Sequence, residues 1–261
     1  MSNTKKQLQS NLITSEIKLD GQCNFRDLGG LVNKDRLALK KEIIFRSGQL
    51  NELTPADIKL LDTLNLSTVI DFRSAEETKM QPHRLPPSIR TTYHLPITPG
   101  NITPASIEEI VRDGNLKGAN DFLFEIYKQL VLENQKEYTL FFQKLQTNNG
   151  SPTLFNCTAG KDRTGFAAIL FLSALDFDLD IIYTDYLKTN QAVGPTLDKV
   201  ISSFGFQNKK QSQTFYELMT VKEAFINHVF STIKNHYLSM DNYLEKQLGI
   251  NKNILKEIYL E

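Results

Sequence analysis

Residues 156–165 read Asn-Cys-Thr-Ala-Gly-Lys-Asp-Arg-Thr-Gly, so a cysteine and an arginine enclose five residues. The run before them, 152–156, reads as a short strand, and the strongly apolar 165–175 reads as a helix. A loop in that position suits an anion. Its amides form a nest at a helix N-terminus, where the dipole favours negative charge. The planar fork of Arg163 matches two oxygens of a phosphoryl group. A positive field of this kind favours thiolate over thiol, and a Cys157 thiolate is a nucleophile for phosphorus. Thr164 supplies a hydroxyl to that sulfur, while Gly160 and Gly165 relieve crowding where the backbone turns. The candidate phosphate-binding set is therefore Thr158, Ala159, Gly160, Lys161, Asp162, Arg163 and Thr164, around Cys157. A cysteine alone would be only a small buried residue. The nucleotide-binding Gly-x-x-x-x-Gly-Lys-Ser/Thr pattern is not met, because Asp162 follows Gly160-Lys161 and residue 155 is Phe.

The elements that must hold this loop are those of an α/β chain. Runs 41–45 and 67–72 read as buried strands and 91–95 as a weaker one. Between the first two, Thr54 as N-cap, Pro55 and Asp57 open a helix with Ile58, Leu60, Leu61 and Leu64 on its apolar face. Strand, helix, strand implies a mostly parallel sheet. Pro96, Pro99, Gly100 and Pro104 mark a loop. Helices are expected at 119–132, 136–146, 180–189, 241–248 and 252–259, so extra helices close the chain. The polar stretch 191–213, with Gly194, Pro195 and Gly205, is expected to be a mobile flap. The aromatic segments 121–127 and 216–230 suit either a lid over the loop or core packing. Residues 1–18 form a polar N-terminal segment, and 19–261 are taken as one domain.

Composition limits the alternatives. The 261 residues carry 30 Lys+Arg and 30 Asp+Glu, a formal net charge of zero, which gives no broad attraction to nucleic acid. Two cysteines, Cys23 and Cys157, are too few for a disulfide scaffold and suggest a reducing, cytoplasmic setting. No signal-like or membrane-length apolar run stands out, so no stable membrane insertion is expected, and export without a signal remains compatible. His83, His94, His228 and His236 form no ligand-spaced pair, so no metal is expected, and each reads as an ordinary histidine.

The segment 156–165 resembles the signature of cysteine-dependent tyrosine and dual-specificity phosphatases. More closely, it resembles a bacterial group of atypical tyrosine phosphatases that also act on phosphoinositides. Other motifs stand in that group's order: Asn24-Phe25-Arg26-Asp27-Leu28-Gly29-Gly30, Phe45-Arg46-Ser47-Gly48, Val69-Ile70-Asp71-Phe72-Arg73-Ser74-Ala75-Glu76-Glu77 and Tyr186-Leu187-Lys188-Thr189-Asn190. The resemblance spans about 19–260. It implies a central, mostly parallel sheet flanked by helices and a cysteinyl-phosphate mechanism with no cofactor. The implied substrates are phosphotyrosine protein first and phosphoinositide second.

The chain departs from that pattern twice. Asn156 stands where most such phosphatases have a histidine before the cysteine. No carboxylate lies in 95–100, where the related group can place its general acid, and Glu108 and Glu109 come later. Asp162 is the better candidate acid, as in lipid phosphatases of the myotubularin type, against a purely structural pairing with Lys161. Lys161 goes with wider substrate choice in this group, or simply balances Asp162. Asp71 and Arg73, at the end of a strand, could contact substrate or form a structural ion pair. Arg26, Asp27 and Arg46 read as scaffold, and Cys23 could approach Cys157 under oxidation. Two other functions compete: phosphate binding without turnover, and rhodanese-type sulfur transfer, whose loop has a shorter span and lacks Thr-Gly.

Overall fold

The computed structural model describes residues 15–100, 104–203 and 205–261. The expectation for the N-terminal segment thus falls, up to residue 14, outside the described residues. Six strands form one mixed sheet: β1 (Ser15–Glu16), β2 (Arg26–Asp27), β3 (Ile44–Ser47), β4 (Thr68–Asp71), β5 (Thr91–His94) and β6 (Thr153–Asn156), ordered β1-β2-β3-β6-β4-β5. The β3, β6, β4 and β5 strands run parallel, and β1 and β2 add an antiparallel edge. The parallel sheet expected from sequence is present, and the two-residue strands at its edge are additions that periodicity is too short to reveal.

Both faces of the central strands are covered. Along β3, β4 and β6, alternate residues point to opposite sides. Phe45, Val69 and Leu154 join Leu61 of α1 (Pro55–Thr63) in a smaller cluster. Ile44, Ile70 and Phe155 join the main core. That core is built from α4 (Leu116–Leu132), α5 (Gln135–Thr147), α6 (Arg163–Ala174) and later helices. A short α2 (Ala75–Met80) follows β4, and α3 (Pro104–Arg112) precedes α4.

The α1 helix starts as its sequence demands. The hydroxyl of Thr54 accepts from Asp57 N–H, and the Asp57 carboxylate accepts from Thr54 N–H, a capping box. The same carboxylate takes Asp20 N–H and Gly21 N–H at 2.9 Å each, pinning the chain that leads to the N-terminal edge.

The flap expected at 191–213 is instead largely helical. Helix α7 runs Leu179–Ser203 with Pro195 inside it, and α8 runs Lys209–Met219. Pro195 removes one backbone rung, but the buried face of Ile182, Tyr186 and Thr189 carries on to Leu197. Asn190 also ties α7 to Val221 through two hydrogen bonds of 2.8 and 2.9 Å. These contacts outweigh the Gly-Pro punctuation. Helices α9 (Glu223–Tyr237), α10 (Met240–Asn242), a π-helical turn (Tyr243–Gln247) and α11 (Lys252–Tyr259) complete the chain. Phe225 of α9 packs on Phe124 and Tyr127 of α4, with ring centroids 5.1 and 5.5 Å apart, so these aromatics serve the core.

Candidate active site

Ser47, Asn156 and Asp71 are register partners at the ends of adjacent parallel strands. Ligands of open α/β sheets bind outside these carboxyl ends. The loop 157–162 leaves β6 there and enters α6 at Arg163.

Three consecutive carbonyls of this loop are held from outside. Thr158 O accepts Gln49 N–H at 2.9 Å, Ala159 O accepts Asn24 Nδ2 at 3.1 Å, and Gly160 O accepts Arg46 Nη2 at 2.8 Å. A planar trans peptide puts N–H opposite C=O. The amides of Ala159, Gly160 and Lys161 therefore turn to the inner side, and Gly160 N–H sits 3.3 Å from the sulfur of Cys157. This is an anion nest with a thiol at its base, and Cys157 is only 2% exposed. Gly160 has φ of +72°, and a Cβ there would lie 2.5 Å from Ser47 O. Only glycine meets both conditions.

Arg46 reaches the loop from a buried charge cluster. Asp185 of α7 accepts Arg26 Nε at 2.7 Å and also pairs with Arg46. Burial opposes the Asp185 charge, but the two arginines outweigh it and hold the carboxyl below its usual range. Burial, then the neighbouring Arg26 charge, pushes Arg46 down to about 10. The scaffold role read for Arg26 and Arg46 thus has a partner that sequence reading missed. Asp27 instead accepts backbone N–H groups of Gly29 and Glu42. The signal for Asp185 was a carboxylate beside Tyr186, on the face that α7 buries.

Arg163 meets a second missed residue. Its Nη1 and Nη2 donate to Glu77 Oε2 and Oε1 at 2.7 and 2.8 Å, a bidentate pair. Glu77 also closes the capping box of α2 with Ser74 and accepts the Thr158 hydroxyl. Burial works against its charge, yet Arg163 holds its carboxyl down at about 2. Burial likewise opposes the charge of Arg163, and Glu77 more than restores it, so the guanidinium titrates above even its ordinary range. The sequence signal was Ser74-x-x-Glu77, which announces a cap but not a second task.

Asp162 Oδ1 accepts from Tyr127 OH and from Lys161 Nζ, both at 2.7 Å. Tyr186 OH donates to Tyr127 OH at 2.6 Å, so a buried two-tyrosine chain ends on this carboxylate. Burial and then the Asp162 charge hold Tyr127 well above its ordinary range. Lys161 is itself buried, with its ammonium on Asp162. Thr164 is fully buried, and its hydroxyl has no hydrogen-bond partner.

Asp71 and Arg73 are placed differently from the loop residues. Both are buried, and the Arg73 guanidinium caps Asp71 Oδ2 at 2.9 Å. Of the two roles open to them, the ion pair is the one this geometry displays. Cys23 and Cys157 are both free thiols, and Cys23 is engaged with Thr196 of α7. Among the described residues no His, Cys, Asp or Glu cluster could hold a metal, and no helix is long and apolar enough to cross a membrane.

A cleft of about 1060 Å³ opens beside the loop, with Thr158 and Arg163 on one wall and Ile97, Val111 and Phe215 among its apolar lining. Its other charged side chains are Glu76, Glu77, Glu108 and Arg112.

Residues 17–261 match the model of a tyrosine phosphatase family. A Cupriavidus necator protein provisionally named a tyrosine-protein phosphatase is 28% identical over 248 residues, covering 94% of this chain and 88% of its own length. The triple specificity protein phosphatase PtpB of Mycobacterium tuberculosis is 28% identical over 243 residues, covering 85% of this chain and 86% of its own.

Proposed function

The chain belongs to the tyrosine phosphatase family, and from that premise we propose that it hydrolyses phosphotyrosine in proteins through a cysteinyl-phosphate intermediate. The observation that carries this reading is the outward anchoring of the Thr158, Ala159 and Gly160 carbonyls, which aims their partner amides at the space above Cys157. The thiolate forms an S–P bond as the P–O bond to the leaving group breaks. The nest amides and Arg163 stabilise the charged equatorial oxygens. Arg163 has five N–H donors, so it grips an anion without releasing Glu77. Asp162 is the acid of this reading: in its protonated form it gives that proton to the leaving oxygen and becomes the carboxylate that Tyr127 OH and Lys161 Nζ bond. Water then breaks the S–P bond and frees phosphate.

The cleft supports phosphotyrosine ahead of phosphoinositide. Its apolar lining suits an aryl group and its flanking peptide. Beyond Arg163 its lining cation is Arg112, against Glu76, Glu77 and Glu108, which is poor company for additional phosphates. Lys161, the residue associated with wider choice, spends its charge on Asp162. Phosphoinositide stays the second substrate class, and the name of the Mycobacterium relative, a triple specificity protein phosphatase, fits a choice wider than phosphotyrosine. We read 19–261 as one catalytic domain working in a reducing compartment, where Cys157 stays reduced.

The test is phosphate release from a phosphotyrosyl peptide under reducing conditions, with Cys157→Ser as background. Release that vanishes in the variant supports the reading. Release equal in both proteins, or none from the peptide and none from phosphoinositide vesicles, leaves a binding loop without turnover.

A further inference from the structure

Two of the three held carbonyls lead back to one carboxylate. Arg46 reaches Gly160 O with one terminal nitrogen and Asp185 Oδ2 with the other. The second route is one residue longer. Arg26 Nε donates to Asp185 Oδ1 at 2.7 Å, Arg26 Nη1 donates to Asn24 Oδ1 at 2.5 Å, and Asn24 Nδ2 donates to Ala159 O at 3.1 Å. Donor meets acceptor at every step of both routes. A guanidinium only donates, so Asn24 must turn its oxygen to Arg26 and its amide nitrogen to the loop. Asp185, Arg26, Arg46 and Asn24 are all buried, away from water that could stand in for a lost partner.

The two oxygens of Asp185 go to different arginines, so this one side chain sets where both guanidinium groups stand. Its position is fixed by α7 and by its own carbonyl, which accepts Arg26 Nη2 at 2.9 Å. Through the arginines it fixes two consecutive peptide planes, those that carry the Gly160 and Lys161 N–H groups inward. The third anchor, Gln49 N–H on Thr158 O, is backbone and does not pass through Asp185.

We propose that Asp185 is a positioning residue for the phosphate-binding loop: through Arg46, and through Arg26 with Asn24, it aims the Gly160 and Lys161 amides at the anion. This rests on the reading of the loop as a phosphoryl site and adds what sets its shape. Charge alone gives the opposite expectation. A carboxylate beneath the loop repels an anion above it, so Asp185 helps phosphate only by holding its two arginines in place.

The test uses the full chain, with inorganic phosphate as the probe. Phosphate in the loop shields Cys157 from iodoacetamide. The alkylation rate at rising phosphate, followed by mass spectrometry on the Cys157 peptide so that Cys23 does not contribute, gives an apparent Kd without turnover. Asp185→Asn places an N–H against one of the arginines, and is expected to weaken phosphate protection at least about tenfold. Asn24→Ala, which frees Ala159 O alone, should weaken it about threefold to tenfold. Added to Arg26→Leu, Asn24→Ala should cost less than about twofold more, because its route is already cut. Protection in Asp185→Asn that is unchanged or tighter than in the wild type would overturn the proposal. So would losses from Arg26→Leu and Asn24→Ala that multiply independently. If Asp185→Asn does not fold, the comparison of Arg26→Leu with and without Asn24→Ala decides alone, since it keeps the Arg46–Asp185 pair. Wild-type protein that phosphate shields but that releases none from a phosphotyrosyl peptide sinks turnover and leaves the role of Asp185 to be decided by protection. Wild-type protein that phosphate does not shield overturns both.

Discussion

Glu77 and Arg163 face each other through two hydrogen bonds of 2.7 and 2.8 Å, one from each terminal nitrogen of the guanidinium. The carboxylate belongs to α2, so the start of that short helix sets where the phosphate-gripping fork points. Removing it in Glu77→Ala leaves Arg163 with carbonyl contacts at 3.3 and 3.4 Å and the Thr158 hydroxyl at 3.2 Å. We expect kcat/KM on phosphotyrosyl peptide to fall about 10–100-fold. Unchanged kinetics would show that the loop alone aims the arginine.

The same pair makes stability depend on acid. Glu77 titrates at about 2 in the folded chain against 4.5 ordinarily, so its contribution is present above pH 4.5 and lost as pH falls towards 2. Allowing for its partial exposure, the contribution is about 2 kcal/mol. Urea melts from pH 6 down to pH 2.5 should show a shallower loss of stability in Glu77→Gln than in the wild type. Parallel curves would remove Glu77 from the acid response.

Asp162→Asn separates acid from scaffold. An alkyl phosphate needs its leaving oxygen protonated, whereas p-nitrophenolate leaves unaided. The variant should therefore lose about 100-fold on phosphoserine peptide and about threefold on p-nitrophenyl phosphate. Equal losses on both substrates would mean that Asp162 only shapes the loop with Lys161 and Tyr127.

Tyr127→Phe removes one donor to Asp162 and strands the Tyr186 hydroxyl. The expected cost is about 1–3 kcal/mol of stability, with a several-fold lower kcat. Calorimetry and steady-state kinetics on the same preparation check both. A loss confined to stability would detach the tyrosine chain from the site.

Gly160→Ala should damage the loop directly. It demands a left-handed alanine whose Cβ meets Ser47 O at 2.5 Å and Gly48 N at 2.6 Å, both backbone atoms. More than 100-fold loss of phosphate release is expected, since the Gly160 amide aimed at Cys157 must move. Activity within tenfold of wild type would show that the nest tolerates a shifted peptide.

What could be read in the sequence follows from how local each interaction is. Cys157, Gly160, Asp162 and Arg163 occupy one short run, so their types and spacing could be read together. The α1 start was legible because Thr54, Pro55 and Asp57 act on their own backbone. Glu77, Asp185 and Tyr127 were not legible as site residues. Each acts across 35 to 139 positions in its hydrogen bonds to this site: Tyr127 to Asp162, Glu77 to Arg163, Asp185 to Arg46. Nothing in their neighbours announces the partner. The 191–213 segment misled for the opposite reason, since Gly194 and Pro195 are strong local signals overruled by the buried face of α7 and the clasp of Asn190 on Val221.

The sheet order has a consequence for how the protein is made. β6, which leads directly into Cys157, emerges from the ribosome after every other described strand, yet it lies between β3 and β4. Until it arrives, two apolar strands wait with open edges, the sort of surface that pairs with other chains. Its insertion closes the sheet and brings Cys157 beneath amides whose anchors, Asn24, Arg46 and Gln49, were synthesised more than a hundred residues earlier. A chain that ends before β6 therefore keeps both edges open and lacks the loop that the anchors are placed to hold.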